Sequence, residues 1–202
     1  FGFLRKKDSG FSKELIEKIA VFFSISSMAN TGWYFVWHYN SIGISLALII
    51  VILVCMIFIN IMTEKAQLSI IEKILIRLPF SLYFGWITIM TIANATVFLV
   101  SINWDRFGMP DTLWTIVMLA LGLIIAELTM LKNRNLGYGL AVIWAYIGIL
   151  IRHTSQTGYN GKFPFIILVT ILCIIVLLIG EVYFAVSDKE KLKNIKLFKK
   201  KA

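Results

Sequence analysis

Six long apolar segments, separated by short polar stretches, dominate the pattern of this 202-residue chain. A helix rises about 1.5 Å per residue, so about 20 residues cross a hydrocarbon layer of roughly 30 Å. Five segments reach that length, and the fifth in chain order is shorter, with 16 residues. The predicted spans are Ile16–Tyr39, Ile42–Met62, Pro79–Asn103, Thr112–Leu131, Leu136–Ile151 and Phe163–Ser187.

The composition supports a membrane protein. Hydrophobic residues make up 59% of the chain and charged residues 15%, against about 25% charged residues in soluble proteins. Lipid cannot hydrogen-bond to a backbone, so the spans must be helical. We therefore expect an all-α, polytopic transmembrane helix bundle with six spans.

The charged residues predict the topology. With six spans, all but three of the 20 basic residues fall on one side of the membrane. The exceptions are Arg106, Arg152 and Lys162. The positive-inside rule then places both ends of the chain in the cytoplasm, and the basic charge faces anionic lipid headgroups instead of nucleic acid. We expect an integral protein of the bacterial cytoplasmic membrane.

Motifs of soluble enzymes are missing from the sequence. It contains no Gly-rich phosphate loop, no nucleophile elbow and no His/Cys cluster with metal-ligand spacing. Cys55 and Cys173 both lie inside apolar segments, where a cysteine is typically a small buried side chain. The sequence therefore predicts a protein that is not an enzyme and has no metal site.

Two predicted helices carry tryptophan together with asparagine. The first contains Asn30, Trp33 and Trp37 at spacings of three and four residues, which places them on one face. The third contains Tyr83, Trp86 and Asn94, and the eight-residue spacing of the last two predicts a shared face as well. Two interpretations remain open: hydrogen bonds and packing between helices, or a cavity in which indole and amide groups hold a flat apolar molecule.

Glu127 and Glu181 are the acidic residues predicted at membrane depth, each in the cytoplasmic third of its helix. Such groups commonly reach the headgroups or pair with a nearby Lys or Arg. The other interpretation is a proton or cation site that faces the bundle. It gives an alternative function, a small proton-coupled transporter that uses Glu127 or Glu181.

The tryptophan-bearing segments resemble the TspO/MBR family, the tryptophan-rich sensory proteins related to the mitochondrial translocator protein. Ala29–Trp33, followed by Trp37, is similar to the Asn-x-x-Trp pattern in the third helix of that family. The stretch from Tyr83 to Asn94, opened by Pro79, is similar to its fifth helix. The segment Ile42–Met62 takes the fourth position.

The resemblance implies a non-enzymatic helical membrane protein that binds or senses a flat apolar ligand, such as a porphyrin or haem-like compound. Some members of the family bind sterols, and the resemblance also implies a homodimer. Carried over to this sequence, it makes Asn30, Trp33, Tyr83, Trp86 and Asn94 lining residues of the pocket, with Trp37 beside them.

The resemblance also predicts an organisation of the chain. Residues 1–104 correspond to family helices three to five, residues 105–187 add three transmembrane helices, and residues 188–202 form a basic cytoplasmic tail. This is the arrangement of a longer bacterial form whose first two helices, including the one with the Pro-rich Trp motif, would lie upstream of Phe1.

Overall fold

The computed structural model describes residues 12–133 and 135–201, and for 188–201 it describes the backbone alone. This part of the chain is helical and contains no strand. Six of its helices are long and apolar enough to cross a membrane, which confirms the predicted fold class. The basic residues at 5–7, Arg134 and the side chains of the basic tail lie outside the described residues, so their share of the charge pattern stays a prediction.

The helices begin and end within a few residues of the predicted spans, apart from the start of the third span and the end of the last. Their bounds are α1 Lys13–His38, α2 Ile42–Lys65, α3 Ile70–Glu72, α4 Leu78–Ser101, α5 Asp111–Asn133, α6 Leu136–Thr154 and α7 Pro164–Lys201. Helix α7 has 38 residues, or about 57 Å, and so continues well past a hydrocarbon core of roughly 30 Å.

The third span begins earlier than the hydropathy pattern indicates. Helix α3 passes into α4 through a five-residue π-helical segment, Lys73–Arg77. Ser69 starts this stretch with a capping box, because its side chain accepts from the N–H of Glu72 and the Glu72 carboxylate accepts from the N–H of Ser69. Pro79, the predicted start, lies in the first turn of α4, directly after the π-helical segment. A proline inside a helical stretch removes an N–H donor, and prolines and π-helical segments are both common causes of helix distortion.

The chain divides into two compact units, Phe1–Met109 (unit 1) and Pro110–Ala202 (unit 2). In unit 1, α2 packs against both α1 and α4. The core-facing side of α2 includes Ile49, Ile52, Met56 and Ile59, all at most 1% exposed. Helix α2 is therefore the central helix of this unit.

Helices α1 and α4 end in the same way. Asn40 and Asn103 adopt left-handed conformations, with φ of 57° and 53°. Their N–H groups donate to Trp37 O and Val100 O, and the following residues donate one residue further back, to Val36 O and Leu99 O. This is the Schellman motif, in which asparagine is an accepted substitute for glycine.

In unit 2, α7 packs against both α5 and α6. Small residues line the contacts, as the sequence suggested: Gly122 and Ala126 on α5, and Gly137, Ala141 and Ala145 on α6, are all buried. The phenol of Tyr146 donates to the backbone oxygen of Leu119 at 2.6 Å. The Tyr146 hydrogen bond therefore joins α5 and α6 directly, and buried small residues allow close helix packing within the unit.

Candidate functional site

Asn94 joins all three long helices of unit 1. Its Oδ1 accepts from Trp33 Nε1 on α1 at 3.2 Å and from Ser45 Oγ on α2 at 2.9 Å. Its Nδ2 donates to Met90 O on its own helix at 2.8 Å. The side chain is 2% exposed. An amide in apolar surroundings needs such partners, so Asn94 acts as a buried connection between helices.

The indole of Trp33 is held on both its edge and its face. Its N–H donates to Asn94 Oδ1, and its ring stacks on that of Trp37, with the ring centroids 5.7 Å apart and the ring planes at 23°. Trp33 is half-buried, whereas Trp37 is 38% exposed. The pair therefore presents an oriented aromatic surface near the C-terminal end of α1.

Asn30 lies one turn before Trp33 on α1 and differs from Asn94 in its surroundings. Its side chain is exposed and makes no hydrogen bond to any other part of the chain that the structure describes. Of the two predicted amides, Asn30 is the one whose donors and acceptor remain available beside the tryptophan pair.

Tyr83 and Trp86 do not join this cluster. They precede Asn94 by eleven and eight residues, or about 16 Å and 12 Å along α4. Two side chains eight residues apart also point about 80° away from each other around the helix axis. Trp86 is accordingly 41% exposed while Asn94 is buried, so the expected common face of Trp86 and Asn94 is not formed. Tyr83 is half-buried.

Ser45 is a site residue that the sequence reasoning missed. It is completely buried near the start of α2 and donates to the same Asn94 oxygen that Trp33 uses. Helix α2 has a mean hydropathy of 3.3 over its most apolar window. A hydroxyl in so apolar a segment needs a hydrogen-bond partner, and this need was the sequence signal that could have identified Ser45 as a contact residue.

A second polar contact joins α2 and α4 near the opposite end of unit 1. Ser81 Oγ donates to Asn60 Oδ1 at 3.2 Å, and Asn60 Nδ2 donates to the backbone oxygens of Met56 and Phe80. Asn60 and Ser81 are buried. This contact fixes the register of the two helices independently of Asn94.

In unit 2, Glu181 on α7 points at α6. A β-carbon built on Gly139 would collide with Glu181 Oε1 and would lie 2.7 Å from Met130 Sδ. Glu181 is 8% exposed, and its Oε1 is buried without a hydrogen-bond partner. The missing side chain of Gly139 is what gives the carboxyl group its space.

Glu127 on α5 points at α7 in the same manner. A β-carbon on Gly180 would lie 2.8 Å and 2.9 Å from the two carboxyl oxygens of Glu127. Its Oε1 is also buried without a hydrogen-bond partner. Gly180 directly precedes Glu181 on α7. The two acids, predicted singly from the sequence, therefore lie at neighbouring contacts of α7, Glu127 where α5 meets α7 and Glu181 where α7 meets α6.

The described residues contain no group of three or more His, Cys, Asp or Glu side chains that could hold a metal ion. Cys55 and Cys173 are both buried and unbridged, in line with the interpretation of each as a small packed side chain.

The chain was compared with protein-family models, curated proteins and solved structures. A family model described as TSPO-like protein matches residues 2–183. The matched range includes helices of both units and extends beyond Trp104, where the similarity noted in the sequence ends. No curated protein and no solved structure shows significant similarity.

Proposed function

The chain belongs to the TSPO-like protein family, and we propose that it binds or senses a flat apolar ligand of the tetrapyrrole type within the helices of unit 1. It is an integral membrane protein, and the residues that the structure describes include six helices long and apolar enough to cross a membrane. The observation that carries the proposal is the tryptophan pair on α1, with Trp33 held by Asn94 and stacked on Trp37.

A stacked pair of indoles suits a flat, conjugated ligand. Aromatic rings bury a large area and prefer offset stacking with other π-systems. The hydrogen bond to Asn94 fixes the ring plane of Trp33 before any ligand arrives, which lowers the cost of ordering on binding. The exposed face of Trp37 then offers the contact surface.

The two asparagines take different roles in this proposal. Asn94 has already used its oxygen twice and one of its N–H groups, so it positions Trp33 instead of holding the ligand. Asn30, exposed on α1, supplies the polar group that would orient a ligand carrying carboxyl or ring-nitrogen groups. Tyr83 and Trp86 would be reached only by a ligand that extends along α4.

The test is a porphyrin titration of the protein in lipid nanodiscs, followed by quenching of tryptophan fluorescence. Trp33→Phe and Trp37→Phe should each weaken binding about tenfold, equivalent to about 1.4 kcal/mol. Trp144→Phe is the matched control, because Trp144 is 68% exposed on α6 in unit 2. Absence of saturable quenching in the unaltered protein, or an equal loss in the control, would refute the proposal.

Trp86→Phe and Tyr83→Phe test the extent of the site. A ligand confined to the tryptophan pair on α1 predicts unchanged affinity in both variants. A loss of affinity in both would extend the site along α4, as the resemblance implies.

The topology is part of the proposal. We place both ends of the chain in the cytoplasm and the protein in a bacterial cytoplasmic membrane, with anionic lipid headgroups around its basic side. Single cysteines, introduced after Cys55→Ala and Cys173→Ala, would locate the loops. Labelling of a cysteine at Gly108 from outside the cell supports this orientation, and labelling only from inside contradicts it. Cross-linking of the same cysteine between two chains would test the proposed homodimer.

A second candidate function is proton-coupled transport. It is favoured by the burial of one carboxyl oxygen of Glu127 and one of Glu181 inside unit 2, each without a hydrogen-bond partner. Uptake of a porphyrin into liposomes with an imposed proton gradient should fall in Glu127→Gln and Glu181→Gln. Uptake that both variants leave intact would remove this candidate.

A further inference from the structure

We propose that residues 152–163, which end α6 and connect it to α7, bind the phosphate headgroup of an anionic phospholipid at the membrane surface. Two basic side chains of this 152–163 segment, Arg152 and Lys162, each lie over an aromatic ring. The segment belongs to unit 2, and the inference requires neither the ligand proposed for unit 1 nor transport.

The 152–163 segment folds back onto the end of α6. Tyr159 N–H donates to Arg152 O at 2.9 Å, and Gly161 N–H donates to His153 O at 2.9 Å. Gly158 lies so close to Arg152 O that a β-carbon there would collide with it. The last turn of a helix otherwise leaves such carbonyl oxygens without partners. The backbone of the segment is therefore fixed by its own hydrogen bonds, and its side chains are displayed from a defined position.

Two aromatic rings of the segment hold the two cations. Arg152 Cζ lies 5.3 Å from the centroid of the Tyr159 ring, and Arg152 Nη1 donates to Thr157 O at 3.4 Å. Lys162 Nζ lies 5.6 Å from the centroid of the Phe163 ring. The Tyr159 and Phe163 rings meet edge to face, with centroids 5.3 Å apart. A ring attracts a cation that lies over its face within about 6 Å, so one aromatic pair holds both charges.

The described part of the chain does not neutralise these two charges. Neither Arg152 nor Lys162 forms an ion pair within it, with Asp111 at the start of α5 or with any other acid. The sequence contains no Asp or Glu between Glu127 and Glu181. Arg152 and Lys162 are both exposed. Both are therefore available to an anion from outside the chain.

The 152–163 segment lies at the depth of the phospholipid headgroups. Helix α6 has 19 residues, or about 28 Å, so it just crosses a hydrocarbon core of roughly 30 Å. Tyrosine is enriched at the boundary of that core, and Tyr159 is 45% exposed. Anionic headgroups attract basic residues there, and a guanidinium group forms paired hydrogen bonds with phosphate. An anionic phospholipid thus matches the segment in depth and in charge.

Membrane topology alone does not account for Arg152 and Lys162. The positive-inside rule explains basic residues on the cytoplasmic side, whereas these two are predicted on the opposite side. In the topology proposed above, the bound phospholipid belongs to the outer leaflet.

Native mass spectrometry of the full chain, released from nanodiscs of phosphatidylglycerol and phosphatidylcholine in equal parts, tests the inference. Each variant is measured in one sample with the unaltered protein, so that phosphatidylglycerol bound elsewhere cancels from the comparison. Arg152→Gln and Lys162→Gln should each lower the constant for exchange of phosphatidylcholine by phosphatidylglycerol about fivefold, since one cation at an anionic surface contributes about 1 kcal/mol. Tyr159→Leu should lower it as well, because Arg152 loses the ring that positions it while both charges remain.

Arg106→Gln is the matched control, because it removes the third basic residue predicted on the same side, in unit 1, and should leave the constant unchanged. An unchanged constant in the double variant Arg152→Gln/Lys162→Gln, or an equal loss in the control, would overturn the inference. Displacement of phosphatidylglycerol by millimolar inorganic phosphate would also overturn it and assign the segment to a soluble anion. A loss in the two charge variants without one in Tyr159→Leu would refute the role given to the ring.

Discussion

Unit 1 and unit 2 each bury polar side chains between three apolar helices, and they satisfy those groups differently. In unit 1, Asn94 and Asn60 find partners on neighbouring helices. In unit 2, Glu127 and Glu181 instead meet glycines and keep an unpartnered oxygen each. The amides of unit 1 thus hold helices together, while the carboxyl groups of unit 2 retain the capacity to bind something further.

This difference between the two units distinguishes two interpretations of a buried polar group that the sequence left open. A polar group inside a membrane protein can serve packing or function. Hydrogen bonds across helices account for Asn94 and Asn60 without any ligand. Within the described residues, Oε1 of Glu127 and Oε1 of Glu181 have no hydrogen-bond partner. The exposed amide of Asn30 makes no hydrogen bond there either. These are the groups at which function should be sought.

The largest effect should come from Asn94→Leu, which would remove the connection between all three helices of unit 1. It leaves Trp33 Nε1 and Ser45 Oγ unpaired, so we expect unfolding to require about 2 kcal/mol less. Reversible unfolding in mixed detergent micelles measures this change. Asn30→Leu is the matched control and should leave stability unchanged, because Asn30 is exposed and unbonded. Equal losses in the two variants would contradict the distinction between the asparagines.

Gly139→Ala should have the next largest effect, because the new methyl group must displace Glu181 and Met130. Overpacking of this kind costs about 1–3 kcal/mol. Because the atoms to be displaced are the ends of flexible side chains, we expect the free energy of unfolding to fall by about 1 kcal/mol. Gly148→Ala, on the same helix with nothing within 4 Å, should cost nothing. The loss should shrink when Glu181→Ala is also present. A loss that persists in that double variant would assign the collision to another group.

Ser45→Ala should have the smallest effect, about 0.6 kcal/mol, the average for an interhelical hydrogen bond in a membrane protein. The decisive measurement is the double-mutant cycle with Asn94→Leu. The double variant should be no less stable than Asn94→Leu alone, because the bond is already lost. Strict additivity of the two changes would show that Ser45 contributes through packing.

The sequence predicted the helices well because hydrophobic length alone decides whether a segment spans a membrane. It predicted their ends less well, since these depend on local capping. Helix α1 begins at Lys13 because Ser12 accepts from the N–H of Leu15. Helix α3 exists because Ser69 and Glu72 form a capping box, and the Ser-x-x-Glu spacing was a visible but unused signal.

The site was predicted in part. The spacing of Trp33 and Trp37 within one helix predicted that they share a face, but not that their rings stack. The separation of Trp86 from Asn94 was not anticipated, because eight residues only approximate two turns. The contacts of Ser45 with Asn94, and of each glutamate with its glycine, join different helices. A pattern along one helix carries no information on which residue of another helix it meets.

The contact between Gly139 and Glu181 has a consequence for how this protein can evolve. A side chain at position 139 would collide with the carboxyl group, so substitution there costs stability unless the residue at 181 has first become shorter. The same order of events applies to Gly180 and Glu127. Among homologues, each glycine and its glutamate should therefore change together, and a lineage that loses an acid should be the one in which the facing glycine is free to vary.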